Sequence, residues 1–127
     1  MTIIILDPSL TVRTKIEDLI EEMNFDSLDI HQFNNAENAL EFSKENNVEL
    51  IFSSIETEQM NGITFVDHIL RETPKLVSKL FIVTSQKHTE SLEDMKDIGA
   101  KRFIPKPINE EYFNHFVKPE INKVLNR

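Results

Sequence analysis

Apolar residues in this chain fall into two kinds of pattern, short continuous runs and longer stretches in which they recur every three or four positions. Thr2 to Leu6 (TIIIL) is a β-branched run without polar interruption, the pattern of a strand buried on both faces of a parallel sheet. It stops at Asp7-Pro8-Ser9. Val12, Ile16, Leu19, Ile20 and Met23 then follow at helical spacing, with Arg13, Lys15, Glu17, Asp18 and Glu21 on the opposite face. Leu28 to Phe33 (LDIHQF) alternates apolar and polar residues and reads as an edge strand with one wetter face. Asn34 with Glu37 predicts a capping box that opens a second helix through Ala36, Ala39 and Leu40.

The same alternation continues to the end of the chain. Glu49 to Ser54 predicts a buried strand, and Asn61-Gly62 turns into a third helix carrying Phe65, Val66, Ile69 and Leu70 that ends before Pro74. Lys79 to Thr84 (KLFIVT) is another buried strand. The fourth helix, centred on Leu92 and Met95, stops at Gly99; with only two glycines in the chain, both are expected where a side chain would be strained. Arg102 to Lys106 (RFIPK) is a short strand, and Pro105 places it at an edge because proline donates no ladder bond. Asn109 caps a last helix presenting Tyr112, Phe113, Phe116, Val117, Ile121, Val124 and Leu125, in which Pro119 should produce a kink or a break. Five strands alternating with five helices call for an α/β fold, a doubly wound parallel sheet with helices on both faces. Right-handed crossovers then bring every strand's C-terminal end to one edge, where such folds bind ligands.

Composition narrows the function classes. A chain of 127 residues fits one domain, 1–127, with a single substantial core. The absence of cysteine removes thiolate metal sites and Cys nucleophiles and agrees with a reducing, cytoplasmic setting. No apolar run approaches a membrane span, and Met1 leads directly into a strand rather than a leader segment. With 22 acidic against 14 basic residues and a formal net charge of −8, the chain should repel nucleic acid.

The residues expected at the common edge are Asp7, Ser54 (beside Ser53), Thr84 and Lys106. Each also has a plain structural reading. Asp7-Pro8-Ser9 makes a good helix start, with Asp7 as the cap and Pro8 at the first helical position. Ser54 and Thr84 can satisfy backbone groups at strand ends. Lys106 is more demanding, because an ammonium directed into a cleft needs a partner, and Asp7 is the carboxylate within reach. His31, His68, His88 and His115 lie on different elements without metal-ligand spacing and are read as solvated.

Leu6-Asp7-Pro8-Ser9 with Arg13, Leu50 to Gly62 with its Met60-Asn61-Gly62 tail, Ile82 to Ser85, and Gly99-Ala100 followed by Phe103 to Ile108 resemble the receiver domains of bacterial two-component response regulators. The resemblance covers the whole chain in order. It implies a flavodoxin-like (βα)5 fold with strand order 2-1-3-4-5 and a place in phosphorelay signalling. A working receiver has two adjacent acids after the first strand, an acceptor Asp after the third, a Thr or Ser after the fourth and a Lys before Pro after the fifth. Here Asp7 keeps one acid, Pro8 replaces the other, and Ser54 stands at the acceptor position; Thr84 and Lys106 are retained. Glu56 matches a position that contributes its main-chain carbonyl, Phe103 matches the aromatic that rotates on activation, and Lys106-Pro107 matches a bond that is usually cis.

These departures matter chemically. Phosphoryl transfer from phosphohistidine needs an anionic acceptor and a Mg²⁺ held by carboxylates. Ser54 offers a neutral hydroxyl, and no His falls at the strand ends to activate it. The resemblance therefore implies a degenerate receiver, without catalytic residues, metal or cofactor, that acts by contact with a histidine kinase, an output domain or a second receiver. The contact face it implies is the fourth helix, fifth strand and fifth helix. Two alternatives stand beside it. One is an active phosphoacceptor using Ser54 or Glu56. The other is a flavodoxin-like cofactor binder, although no Gly- or Ser/Thr-rich phosphate loop follows the first strand.

Overall fold

The computed structural model describes residues 1–55, 62–72, 79–85 and 89–126. Its elements alternate as β1 (Thr2–Leu6), α1 (Leu10–Glu21), β2 (Asp29–Phe33), α2 (Ala36–Glu45), β3 (Leu50–Ser54), α3 (Gly62–Glu72), β4 (Leu80–Thr84), α4 (Thr89–Asp97), β5 (Arg102–Pro105) and α5 (Glu110–Leu125). The five strands form one parallel sheet in the order β2-β1-β3-β4-β5. Strands β3 and β4 are buried throughout, as continuous apolar runs require, whereas the alternating β2 and the proline-containing β5 lie at the edges.

Because neighbouring residues of a strand point to opposite faces, the sheet separates two cores. Ile4, Leu6, Ile51, Leu80 and Ile82 pack with Ala36, Ala39, Leu40, Phe65, Val66, Ile69 and Met95 from α2, α3 and α4. Ile3, Ile5, Leu50, Phe52, Phe81 and Val83 pack with Ile16, Leu19, Ile20, Phe113, Val117 and Ile121 from α1 and α5. Phe52 is stacked between Phe81 and Phe113, with ring centroids 5.1 and 5.6 Å away.

Local chemistry sets the helix ends, with corrections to the expectations above. The cap of α1 is Ser9, whose hydroxyl accepts from the Val12 amide, not Asp7; the Asp7 side chain instead accepts from the Ser9 amide one step earlier. Pro8 consequently precedes the cap. The cap of α2 is Asn35 rather than Asn34, because Asn35 is the residue whose carboxamide reaches the Asn38 amide. Asn109 caps α5 as expected.

Gly99 adopts φ 111°, and the pairings of its amide with Lys96 O and of the Ala100 amide with Met95 O close α4 in a Schellman turn. Helix α5 runs through Pro119 without a break. The bond that Pro119 cannot donate would reach the carbonyl of exposed His115, so water can take it up while Val117, Glu120, Ile121 and Val124 keep the helix on the sheet. Asn24 and Ser27, at φ 58° and 60°, make the turn between α1 and β2, and no glycine marks them in the sequence. Asn61, Pro74, Glu56 and His88 lie outside the described residues.

Candidate functional site

At the C-terminal edge of the sheet, β1, β3, β4 and β5 deliver Asp7, Ser54, Thr84 and Lys106. Asp7 is 1% exposed and is fixed from every side. Its amide donates to Phe33 O at 3.1 Å, its Oδ1 accepts from the Ser9 amide at 2.8 Å, and its carbonyl accepts from the Arg13 guanidinium at 2.7 Å. Arg13 is itself held by Gln32 at 3.1 Å. The second carboxylate oxygen, Oδ2, lies 2.8 Å from Lys106 Nζ. Oδ2 is buried and makes no directed hydrogen bond among the described residues, so this contact is an ion pair.

The remaining residues are quieter. Ser53 and Ser54 are buried, and the Ser53 hydroxyl donates to Ser54 O at 3.1 Å. Thr84 is buried too; its hydroxyl donates to Ser85 O at 3.1 Å, and its carbonyl accepts from the Lys106 amide at 2.7 Å. The Lys106-Pro107 peptide is cis. Pro8 is exposed and offers the edge no oxygen ligand from its side chain. Among the described residues no group of three His, Cys, Asp or Glu could hold a metal ion.

A second feature lies at the β5 end of the sheet. Phe81, Lys101, Arg102, Phe103, Tyr112 and Phe116 line a groove of about 280 Å³ between β5 and α5. Tyr112 and Phe116 are 37% and 46% exposed, so the aromatic stripe of α5 is divided between core and surface. Phe103 is half-buried against the α2–α4 core, and Lys96 of α4 sits 5.7 Å above its ring.

Below the groove Glu120, 8% exposed, pairs with Arg102 at 3.1 Å and Lys123 at 3.3 Å. Sequence reasoning passed over Glu120, although its spacing from Phe113, Val117 and Val124 puts it on the buried side of α5. His31 also departs from expectation. It is only partly exposed, packing on Phe42 with ring centroids 4.4 Å apart and lying 2.9 Å from Asp29.

The model of the response regulator receiver domain matches residues 3–118. The chain belongs to this family. Among solved structures, the receiver is similar to the signal receiver domain of an HD domain-containing protein from Pseudomonas fluorescens Pf-5, with TM-score 0.82, 17% identity and coverage of 99% and 98% of the two chains. It is also similar to the chemotaxis response regulator CheY4 of Vibrio cholerae, with TM-score 0.78, 18% identity and coverage of 94% and 97%. Among curated proteins it is 29% identical over 111 residues to a cyclic di-GMP phosphodiesterase of Thermotoga maritima, covering 87% of this receiver and 28% of that protein. It is 27% identical over 108 residues to Protein CcdB of Bacillus subtilis, covering 85% and 87% of the two chains. The receiver thus spans little more than a quarter of the phosphodiesterase, and the activity in that name belongs to that protein. No helix among the described residues is long and apolar enough to cross a membrane.

Proposed function

We propose that this receiver is a degenerate, non-enzymatic module of two-component signalling that works by protein contact and does not accept a phosphoryl group. The observation that carries the reading is the pairing of Asp7 with Lys106 beside a serine at the end of β3. Magnesium is held by hard oxygens, usually including carboxylates, and it neutralises the transferring group. The described residues at this edge do not fit it. Asp7 already gives one oxygen to the Ser9 amide and the other to Lys106, Pro8 has no side-chain ligand, and Ser54 is a neutral hydroxyl, with no histidine at any of the four strand ends in the sequence. A serine hydroxyl without a base is a weak nucleophile.

An ion pair that closes the edge gives the pocket a different use. It ties the loop after β1 to the loop after β5 and holds the sheet edge in one arrangement. The face of α4, β5 and α5, with its aromatic groove, is then presented in a fixed state to a kinase, an output domain or another receiver. Incubation with a small phosphodonor and Mg²⁺ followed by intact-mass measurement tests this reading. An unchanged mass is expected; a phosphoryl adduct on Ser54 or Glu56 overturns it and makes the receiver an active acceptor.

A further inference from the structure

Asp7 is the first residue past β1, yet its backbone is held on both sides. Its amide donates to Phe33 O at 3.1 Å, which carries the ladder between β1 and β2 one step beyond the strand. Its carbonyl accepts from the Arg13 guanidinium at 2.7 Å, and Nε of Arg13 donates to the Gln32 carboxamide at 3.1 Å. Among the described residues no carboxylate pairs with Arg13, so these two neutral acceptors are what place its guanidinium.

Pro8 tightens the same point. A proline restricts the residue before it to extended conformations, and its missing N–H makes Ser9 the first amide that Asp7 Oδ1 can reach, at 2.8 Å. The amide, carbonyl and Oδ1 of Asp7 are therefore all taken by β2, α1 and the loop between β1 and α1. Oδ2 is left facing Lys106, which follows β5, at 2.8 Å. Such ordering decides what an ion pair contributes. A pair formed by two free side chains contributes little, because ordering both offsets their attraction. Here Asp7 is ordered in advance, and only Lys106 has still to be.

We propose that Arg13, oriented by Gln32, is the positioning residue of the Asp7–Lys106 pair: it fixes the plane of the Asp7-Pro8 peptide and so aims Oδ2 at the ammonium. This rests on the reading of that pair as the closure of the sheet edge, and names what holds it closed. It also connects edge strand β2, at one side of the sheet, to a lysine delivered by β5 at the other. A contact or substitution that shifts Gln32 thereby loosens the Lys106 pairing without touching either charged group.

The test is the coupling between Asp7→Asn and Lys106→Met, measured by urea denaturation in four backgrounds: the parent, Arg13→Met, Gln32→Met and Arg13→Lys. Arg13 and Gln32 are only partly buried, and should Arg13→Met fail to fold, the other two backgrounds carry the test. Arg13 grips the main chain of Asp7, so its contact survives Asp7→Asn and the cycle reports on pairing alone. In Arg13→Met and in Gln32→Met the coupling, expressed as a ratio of unfolding constants, should shrink at least about fivefold, within the range of side chains that share one network. Arg13→Lys keeps the charge but cannot hold both partners with one rigid fork, so its coupling should shrink as well. Variants that lose stability while the coupling stays as large as in the parent would show Arg13 to be merely structural and overturn the proposal. A coupling that falls in Arg13→Met but not in Gln32→Met or Arg13→Lys overturns it too, since charge and not placement would then be acting. A parent without coupling removes the pair itself and the reading of the pocket with it, whereas a strong parent coupling indifferent to all three variants removes only the role of Arg13.

Discussion

Replacing Lys106 by methionine isolates the ion pair at the centre of this account, because methionine keeps most of the apolar stem and deletes the charge. Asp7 would keep its Ser9 contact but lose the one polar partner that Oδ2 has among the described residues, on a side chain that is 1% exposed. Removing one member of a buried pair costs about 3 to 5 kcal/mol. The Lys106 side chain is 25% exposed, so water reaches the vacated side and the low end, about 3 kcal/mol, is expected. That corresponds to a fall of roughly 10 °C in Tm for a chain of this length. Asp7→Asn with Lys106→Met removes both charges and should recover most of the loss, to within about 1 kcal/mol of the parent, as a double-mutant cycle with strong coupling requires. Urea denaturation of the parent, both single variants and the double variant measures the cycle. A Lys106→Met variant within about 0.5 kcal/mol of the parent would show the pair to be solvated, in the range of surface ion pairs, and would refute the reasoning.

Three further outcomes follow from the same geometry. Gly99→Ala should cost about 1 to 2 kcal/mol, because φ 111° forces a Cβ against the backbone; an unchanged urea midpoint would mean that the turn relaxes. Arg102→Met should cost about 1 to 2 kcal/mol, since Glu120 keeps only the exposed Lys123 as a partner, and Glu120→Gln made in the Arg102→Met background should recover part of it; no recovery would place the loss in packing. Pro8→Asp with Ser54→Asp should create a Mg²⁺ site, so that Mg²⁺ at a hundred times its Kd stabilises that variant by about 2.7 kcal/mol while leaving the parent's melting unchanged. Equal responses of the two proteins to Mg²⁺ would contradict this.

How much of this was legible in the sequence depends on whether the signal was local. The strands could be read from uninterrupted runs such as Ile3–Leu6 and Leu80–Val83, because burial on both faces leaves no polar position to confuse the pattern. Gly99 and Asn109 could be read because one residue's backbone freedom or hydrogen-bonding reach decides the outcome locally. The competition between neighbouring caps was not legible. Asp7 and Ser9, and Asn34 and Asn35, are all able to cap, and the choice depends on where the sheet edge delivers the chain.

The local cost of Pro119 is visible in the sequence while its compensation, a packed helix face with the exposed residue His115 one turn before it, is tertiary. At the edge of the sheet, the pairing of Lys106 with Asp7 was foreseeable from charge alone once the strands were parallel. The anchoring of Asp7 by Arg13 and Gln32 was not, since it joins residues from three elements.

On the proposed reading an ion pair and a serine stand in place of a metal-assisted acceptor. The most direct measurement of that reading is intact mass after exposure to a small phosphodonor, with and without Mg²⁺, for the parent beside Pro8→Asp with Ser54→Asp. The parent should stay unmodified under both conditions, and the variant should gain a Mg²⁺-dependent phosphoryl adduct. A phosphoryl adduct on the parent would contradict the reading.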